Sequence, residues 1–176
     1  GLNCYSTMNG AVDKFLRSEP YKGEGLLNNE ILSLLVDSRG SVWVGTAGGM
    51  NVLNPSTGKF LQYTERDGLP NDLIYSIEED GWGMIWISTN RGIAKVDSEA
   101  KTIQKFDIHD GLQSYEYNVG ACCKSKPGEL FFGGINGLNA FFPDSIKIND
   151  TPPKMEFSSF KLYTHNGVQS IPVVSG

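Results

Sequence analysis

The chain has 176 residues, 39% of them hydrophobic, which is enough for one domain with a packed core. Fifteen basic against twenty acidic residues give a net charge of −5 with no Lys/Arg cluster, which argues against a nucleic-acid or acidic-membrane surface. No apolar run approaches the ~20 residues that span a bilayer, and no signal-peptide pattern opens the chain. Twenty-one glycines with nine phenylalanines, seven tyrosines and three tryptophans favour short strands joined by tight turns. Cys4, Cys122 and Cys123 are odd in number and lack zinc-ligand spacing. On one strand Cys122 and Cys123 point to opposite faces, so they read as small apolar fillers and not as a disulfide.

Taken in chain order, Gly1-Leu2-Asn3 matches Gly49-Met50-Asn51 and Gly137-Leu138-Asn139, and Val12–Leu16 follows as a strand. Ile31–Val36 is nearly all apolar, as expected of a strand covered on both faces. After the Asp37–Gly40 turn come Val42–Val44, then Met50–Leu53, then turn residues Asn54–Gly58 and a more polar strand Phe60–Tyr63. The plan repeats as Leu73–Ile77, Ile85–Ile87, Ile93–Val96 and Ile103–Phe106. It repeats again as Val119–Cys123, Leu130–Phe132, Leu138–Phe142 and Ile146–Ile148. Thr151-Pro152-Pro153 reads as a linker, Met155–Tyr163 as a strand, and Pro172–Val174 as its partner across a turn near Asn166-Gly167.

The repeat is the strongest signal. Asp37-Ser38-Arg39-Gly40-Ser41-Val42-Trp43-Val44-Gly45-Thr46 recurs as Asp80-Gly81-Trp82-Gly83-Met84-Ile85-Trp86-Ile87-Ser88-Thr89, a step of 43 residues. A weaker copy runs from Gly128 through Phe131 to Gly137, with a step of 45 from Trp86 to Phe131. Four short strands at this period specify β-propeller blades, and helical apolar spacing is absent. Gly40, Gly83 and Gly128 suit a turn position with positive φ. Trp43, Trp86 and Phe131 are expected to fill the wedges between blades, and Thr46 and Thr89 to hold corners through turn backbone. The expected fold is all-β: about three and a half four-stranded blades over residues 1–148, then a linker (149–153) and the first strands of a sandwich (154–176). The half blade is 1–24, followed by blades at 25–67, 68–110 and 111–148. Opening on a third strand and closing inside a new sandwich, the chain reads as a truncated stretch of something longer.

These units resemble the two-component regulator propeller repeat of the periplasmic part of hybrid histidine kinases. Gly111–Asn118, Phe131–Asn139 and Phe142-Pro143 are similar to that family's last repeat, where a propeller hands over to an immunoglobulin-like sandwich, the Y_Y_Y domain. The resemblance implies a non-enzymatic, periplasmic ligand-sensing fragment of an inner-membrane sensor. It also implies recognition of an oligosaccharide, homodimerisation, and output through a cytoplasmic kinase that these residues do not include.

No catalytic, metal or cofactor site is expected. His109 and His165 are the only histidines and lie in different modules, and Asp80 repeats Asp37 as a turn former. Glu78-Glu79-Asp80 reads as a solvated strand end. A sugar-binding surface is expected where loops enter the inner strands, from Asn71, Asp72, Tyr115 and Glu116. Rings stack on sugar faces while amides and carboxylates take hydroxyls. Tyr75 and Trp82 join this set because the preceding repeat has Leu32 and Arg39 in their places. Two rivals are a lyase-like propeller enzyme, which needs histidine and carboxylates converging on inner strands, and a protein-interaction scaffold, which needs a large apolar face.

Overall fold

The computed structural model describes residues 1–8, 10–19, 24–146, 160–164 and 167–171, in two compact units, Gly1–Ile146 and Lys147–Gly176. In the first unit, β1 (Leu2–Tyr5) pairs antiparallel with β2 (Val12–Leu16), and a two-residue ladder joins β3 (Ser18–Glu19) to β4 (Glu24–Gly25). The first complete blade is a four-stranded meander of β5 (Ile31–Val36), β6 (Val42–Thr46), β7 (Gly49–Leu53) and β8 (Phe60–Tyr63). The second repeats it with β9 (Ser76–Glu79), β10 (Ile85–Thr89), β11 (Gly92–Asp97) and β12 (Thr102–Phe106). The third has β13 (Tyr117–Lys124), β14 (Leu130–Gly134) and β15 (Gly137–Phe141). Inner strand β9 adjoins β5 on one side and β13 on the other, so the sheets stand side by side as propeller blades do.

What makes each of the first two blades a unit is one buried carboxylate. Asp80, 4% exposed, accepts the Trp86 indole N–H at 2.9 Å through one oxygen, and the other takes the backbone N–H groups of Trp82 (2.8 Å) and Met84 (3.0 Å). Asp37 does the same for Trp43 (2.8 Å), Arg39 and Ser41. The tight turn that brings carboxylate under ring needs a positive φ at Gly40 (84°) and Gly83 (79°). In the third blade Ser125 replaces the aspartate and Phe131 the tryptophan. With no indole N–H to satisfy, the hydroxyl needs only to take the Glu129 N–H, at 3.0 Å.

Alternation along the strands sends each tryptophan toward the next blade. Trp43 joins Met50 and Val52 against Ile85, Ile87, Ala94 and Val96 of the second blade, with Leu69 and Ile74 closing the cluster. Trp86, 1% exposed, stacks on Phe106 (5.4 Å between centroids) and meets Phe141 of the third blade at 5.0 Å. Phe131 occupies the same position but is only half-buried and belongs to neither cluster, because no sheet covers that face among the described residues.

Polar bonds lock the same seams. Glu79 is buried and accepts from the Ser38 backbone N–H (2.8 Å) and hydroxyl (2.6 Å), and its carbonyl accepts from Lys124 Nζ at 2.6 Å. The acidic run Glu78–Asp80 is therefore not a solvated strand end: two of its three carboxylates are interior and each satisfies backbone donors.

Other expectations also change. The second inner strand begins at Ser76, not Leu73, because Ile74 N–H donates to the Thr46 carbonyl and Tyr75 N–H to the Ser88 carbonyl, in different sheets. Ile146 is not in a strand: it follows a 3₁₀ turn, Pro143–Ser145, and residues 147 and 148 of that expected strand lie outside the described residues. Between Tyr117 and Cys122 β13 bulges against β14, which absorbs the two residues that lengthen the last repeat step. Cys122 is half-buried, donating weakly to the Ile77 carbonyl, and burial pushes its thiol pKa up, whereas Cys123 is exposed. In the second unit β16 (Phe160–Thr164) pairs with β17 (Gly167–Ile171). Thr164 lies opposite Gly167, so the partner strand starts at once after a two-residue connection and is not Pro172–Val174. Residues 149–159, His165, Asn166 and 172–174 lie outside the described residues.

Asp80→Ala strands the Trp86 indole and two turn N–H groups, and is expected to cost about 3 kcal/mol or more in urea unfolding, with Asp80→Asn costing less; an unchanged midpoint for the alanine variant would contradict the role given to this carboxylate. Burial pushes the Tyr117 phenol up to about 12 while it donates to Asn139 Oδ1 at 2.7 Å. The unfolded phenol loses its proton near 10, so this contribution is complete below pH 10 and is lost as pH rises towards 12. Thermal melts of Tyr117→Phe should lack that part of the alkaline decline, and a decline identical to wild type would contradict it.

Candidate functional site

In each antiparallel blade the inner strand starts, the second strand ends, the third starts and the outer ends at one pole. The incoming loops (64–75 and 107–116) therefore share that pole with the turns between second and third strands. Asn71, Asp72, Tyr115 and Glu116 lie there. Trp82 lies in the β9–β10 turn at the opposite pole, 76% exposed, beside Pro127, Phe142 and Pro143 around a hollow of about 100 Å³. Tyr75 is half-buried against the second core cluster. The six expected ligand residues are thus divided between two poles and a core seam.

Within the first group the side chains have different duties. Asp72 accepts the Glu65 N–H at 2.7 Å and Asn71 donates to Glu65 Oε1 at 2.7 Å, so both hold the loop to the 3₁₀ turn Glu65–Asp67. Glu116 is exposed, and its carbonyl accepts from Ile135 N–H. Tyr115 lines a cleft of about 520 Å³ over the second blade, a volume suited to a small ligand. Its carbonyl accepts the Gly92 N–H at 2.7 Å, which fixes it beside Asn90 and Arg91 of the β10–β11 turn. Pro70, Lys105, Phe106, Asp107 and Asp110 complete the lining.

The cleft exists because the second blade departs from its neighbours. In the first blade Asn51 accepts the Leu27 N–H (3.1 Å) and donates to the Gly25 carbonyl (3.1 Å), with Gln62 donating to the same carbonyl. In the third, Asn139 accepts the Gln113 N–H (2.9 Å) and donates to Gly111 (3.3 Å), and Asn136 bonds Gln113 twice. These bonds draw the incoming loop onto the sheet. In the second blade Pro70 stands where Leu27 and Gln113 stand and has no N–H to donate, and Ala94 replaces the asparagine that would receive it. Lys105 replaces Gln62, and Arg91 replaces Gly48 and Asn136. The tie is lost at both ends, and the buried Asn90 Oδ1 is left without a hydrogen-bond partner.

The chemistry available is an aromatic face, two cations and two carboxylates. Asp107 Oδ1 accepts the His109 N–H and Asp110 Oδ2 the Asp107 N–H, capping the 3₁₀ turn Ile108–Asp110. His109 is exposed in that turn and on no inner strand. Among the described residues no group of His, Cys, Asp and Glu is placed to hold a metal ion. Of the residues lining the cleft, Tyr115 is among those expected from the sequence, and Pro70, Asn90, Arg91 and Lys105 are not. The signal that finds them is the mismatch between equivalent positions of the three repeats, followed through the hydrogen bonds that those positions make elsewhere.

Comparison with known proteins agrees with this architecture. Residues 25–48 and 68–91 match the family model of the two-component regulator propeller. Histidine kinase P4 of Formosa agariphila is 30% identical over 79 residues, which is 45% of this chain and 6% of that protein. The extracellular domain of the hybrid two-component system BT3049 of B. thetaiotaomicron superposes with a TM-score of 0.71 at 28% identity, over 80% of this chain and 18% of that one. The extracellular domain of BT4673 from the same organism, 20% identical with a TM-score of 0.55, shares the fold. The chain spans only a small part of each of these relatives. The two complete blades, each with its paired aspartate and tryptophan, contain the two segments that match the two-component regulator propeller repeat.

Proposed function

We propose that this chain is part of the periplasmic sensing region of a hybrid two-component sensor and that it recognises an oligosaccharide without transforming it. The observation that carries the reading is the cleft over the second blade, where Tyr115 offers a ring face beside the Asp107 and Asp110 carboxylates. A pyranose presents an apolar face and a rim of hydroxyls, which matches that combination. Supporting context comes from relatives described as extracellular domains of two-component systems. In this reading residues 154–176 begin a Y_Y_Y-like sandwich, which carries the binding signal towards a histidine kinase, and two copies of the sensor act as a dimer.

Calorimetric titration with a panel of neutral and acidic trisaccharides tests the site. Tyr115→Ala keeps its backbone bond to Gly92 and is expected to weaken binding by about tenfold, given that aromatic stacking contributes ~0.5–1.5 kcal/mol beyond area burial. Trp82→Ala at the opposite pole is expected to leave affinity unchanged. Binding lost with Trp82 but kept without Tyr115 would move the site to the other pole, and no binding of any carbohydrate would remove the reading.

A further inference from the structure

We propose that the cleft selects an acidic oligosaccharide, one carrying a carboxylate as a uronic acid does, through Arg91 and Lys105. The inference rests on the cleft being a carbohydrate site and specifies which carbohydrates it takes. Both cations stand where the first blade has uncharged residues, Gly48 and Gln62, so the repeat does not require them for folding. They face the same cleft in a chain whose net charge is −5. Among the described residues Lys105 has no carboxylate within ion-pair distance. The only ion pair recorded for Arg91 there is long, 4.0 Å to Glu65 Oε2, and the other oxygen of Glu65 is occupied by Asn71.

The two carboxylates of the cleft decide which anion fits. Asp107 takes the N–H groups of His109 and Asp110, Asp110 takes that of Asp107, and both carboxylate residues line the cleft. A compact anion such as phosphate would bring its charge close to both of them and be repelled. A sugar acid separates its charge from its hydroxyls: the carboxylate lies on the guanidinium and ammonium, while the hydroxyls donate to Asp107 and Asp110. Guanidinium and carboxylate match as a two-pronged pair, which gives orientation as well as attraction.

The test is calorimetric titration of the full chain with galacturonate, glucuronate and mannuronate trisaccharides, each against its neutral counterpart and against inorganic phosphate, at low and high salt. At least one acidic trisaccharide should bind about tenfold more tightly than its neutral partner at low salt, as two partly exposed charge contacts allow, and lose most of that advantage at high salt. In the doubly substituted Arg91→Gln, Lys105→Gln chain, with an unchanged melting temperature, the acidic and neutral affinities should converge. Equal affinity in the wild type would overturn the inference and leave the carbohydrate reading standing. An advantage that persists in the double variant would overturn the assignment to these residues. Binding of phosphate with no trisaccharide bound would overturn both readings.

Discussion

A carboxylate held beneath an indole organises each of the first two blades. In water an aspartate and a tryptophan N–H gain little from meeting. In a site that excludes solvent, leaving either one unpaired costs far more than the bond itself returns. Because Asp37 and Asp80 also close the turns that carry them, the same group sets the turn, orients the ring and directs it onto the next blade. The six-residue spacing from aspartate to tryptophan is therefore one hydrogen-bonded device and not two conserved-looking letters. Its replacement by Ser125 and Phe131 in the third blade makes the point from the other side, since both partners change together.

The same reasoning explains where the repeat opens. Asn51 and Asn139 draw their incoming loops down onto the sheets, so the first and third blades keep a closed pole. Pro70 and Ala94 remove donor and acceptor together in the second blade, which avoids a buried orphan at the tie itself and leaves a cleft in its place. Glu65 then takes over the loop through Asn71 and Asp72. Three copies of one blade in one chain act as controls for one another. What differs in the middle copy is what the fold does not require.

Much of the fold was legible because its signals are local: alternation, turn glycines and a fixed step place the strands within a residue or two. The errors arose where long-range partners decide the outcome. Leu73–Tyr75 looks like the start of a strand, but its N–H groups are divided between two sheets. Glu79 and Asp80 look like surface acids, but Ser38 lies 41 residues away in sequence and supplies the donors that let Glu79 be buried. At the site, rarity in the repeat alone selected Tyr75 and Trp82, which the structure places in a core seam and at the far pole. Tyr115 was readable as an aromatic in an incoming loop. Arg91 and Lys105 become readable only once Gly48 and Gln62 are understood through what they touch.

The claim on which the functional account turns is that the pole over the second blade, and no other surface, receives the sugar. A crystal structure of the chain with a bound acidic trisaccharide addresses it directly. The account predicts a pyranose ring lying on Tyr115, with its carboxylate between Arg91 and Lys105 and a hydroxyl donating to Asp107 or Asp110. A sugar seated instead on Trp82 at the opposite pole, with the cleft beside Tyr115 unfilled, would contradict it.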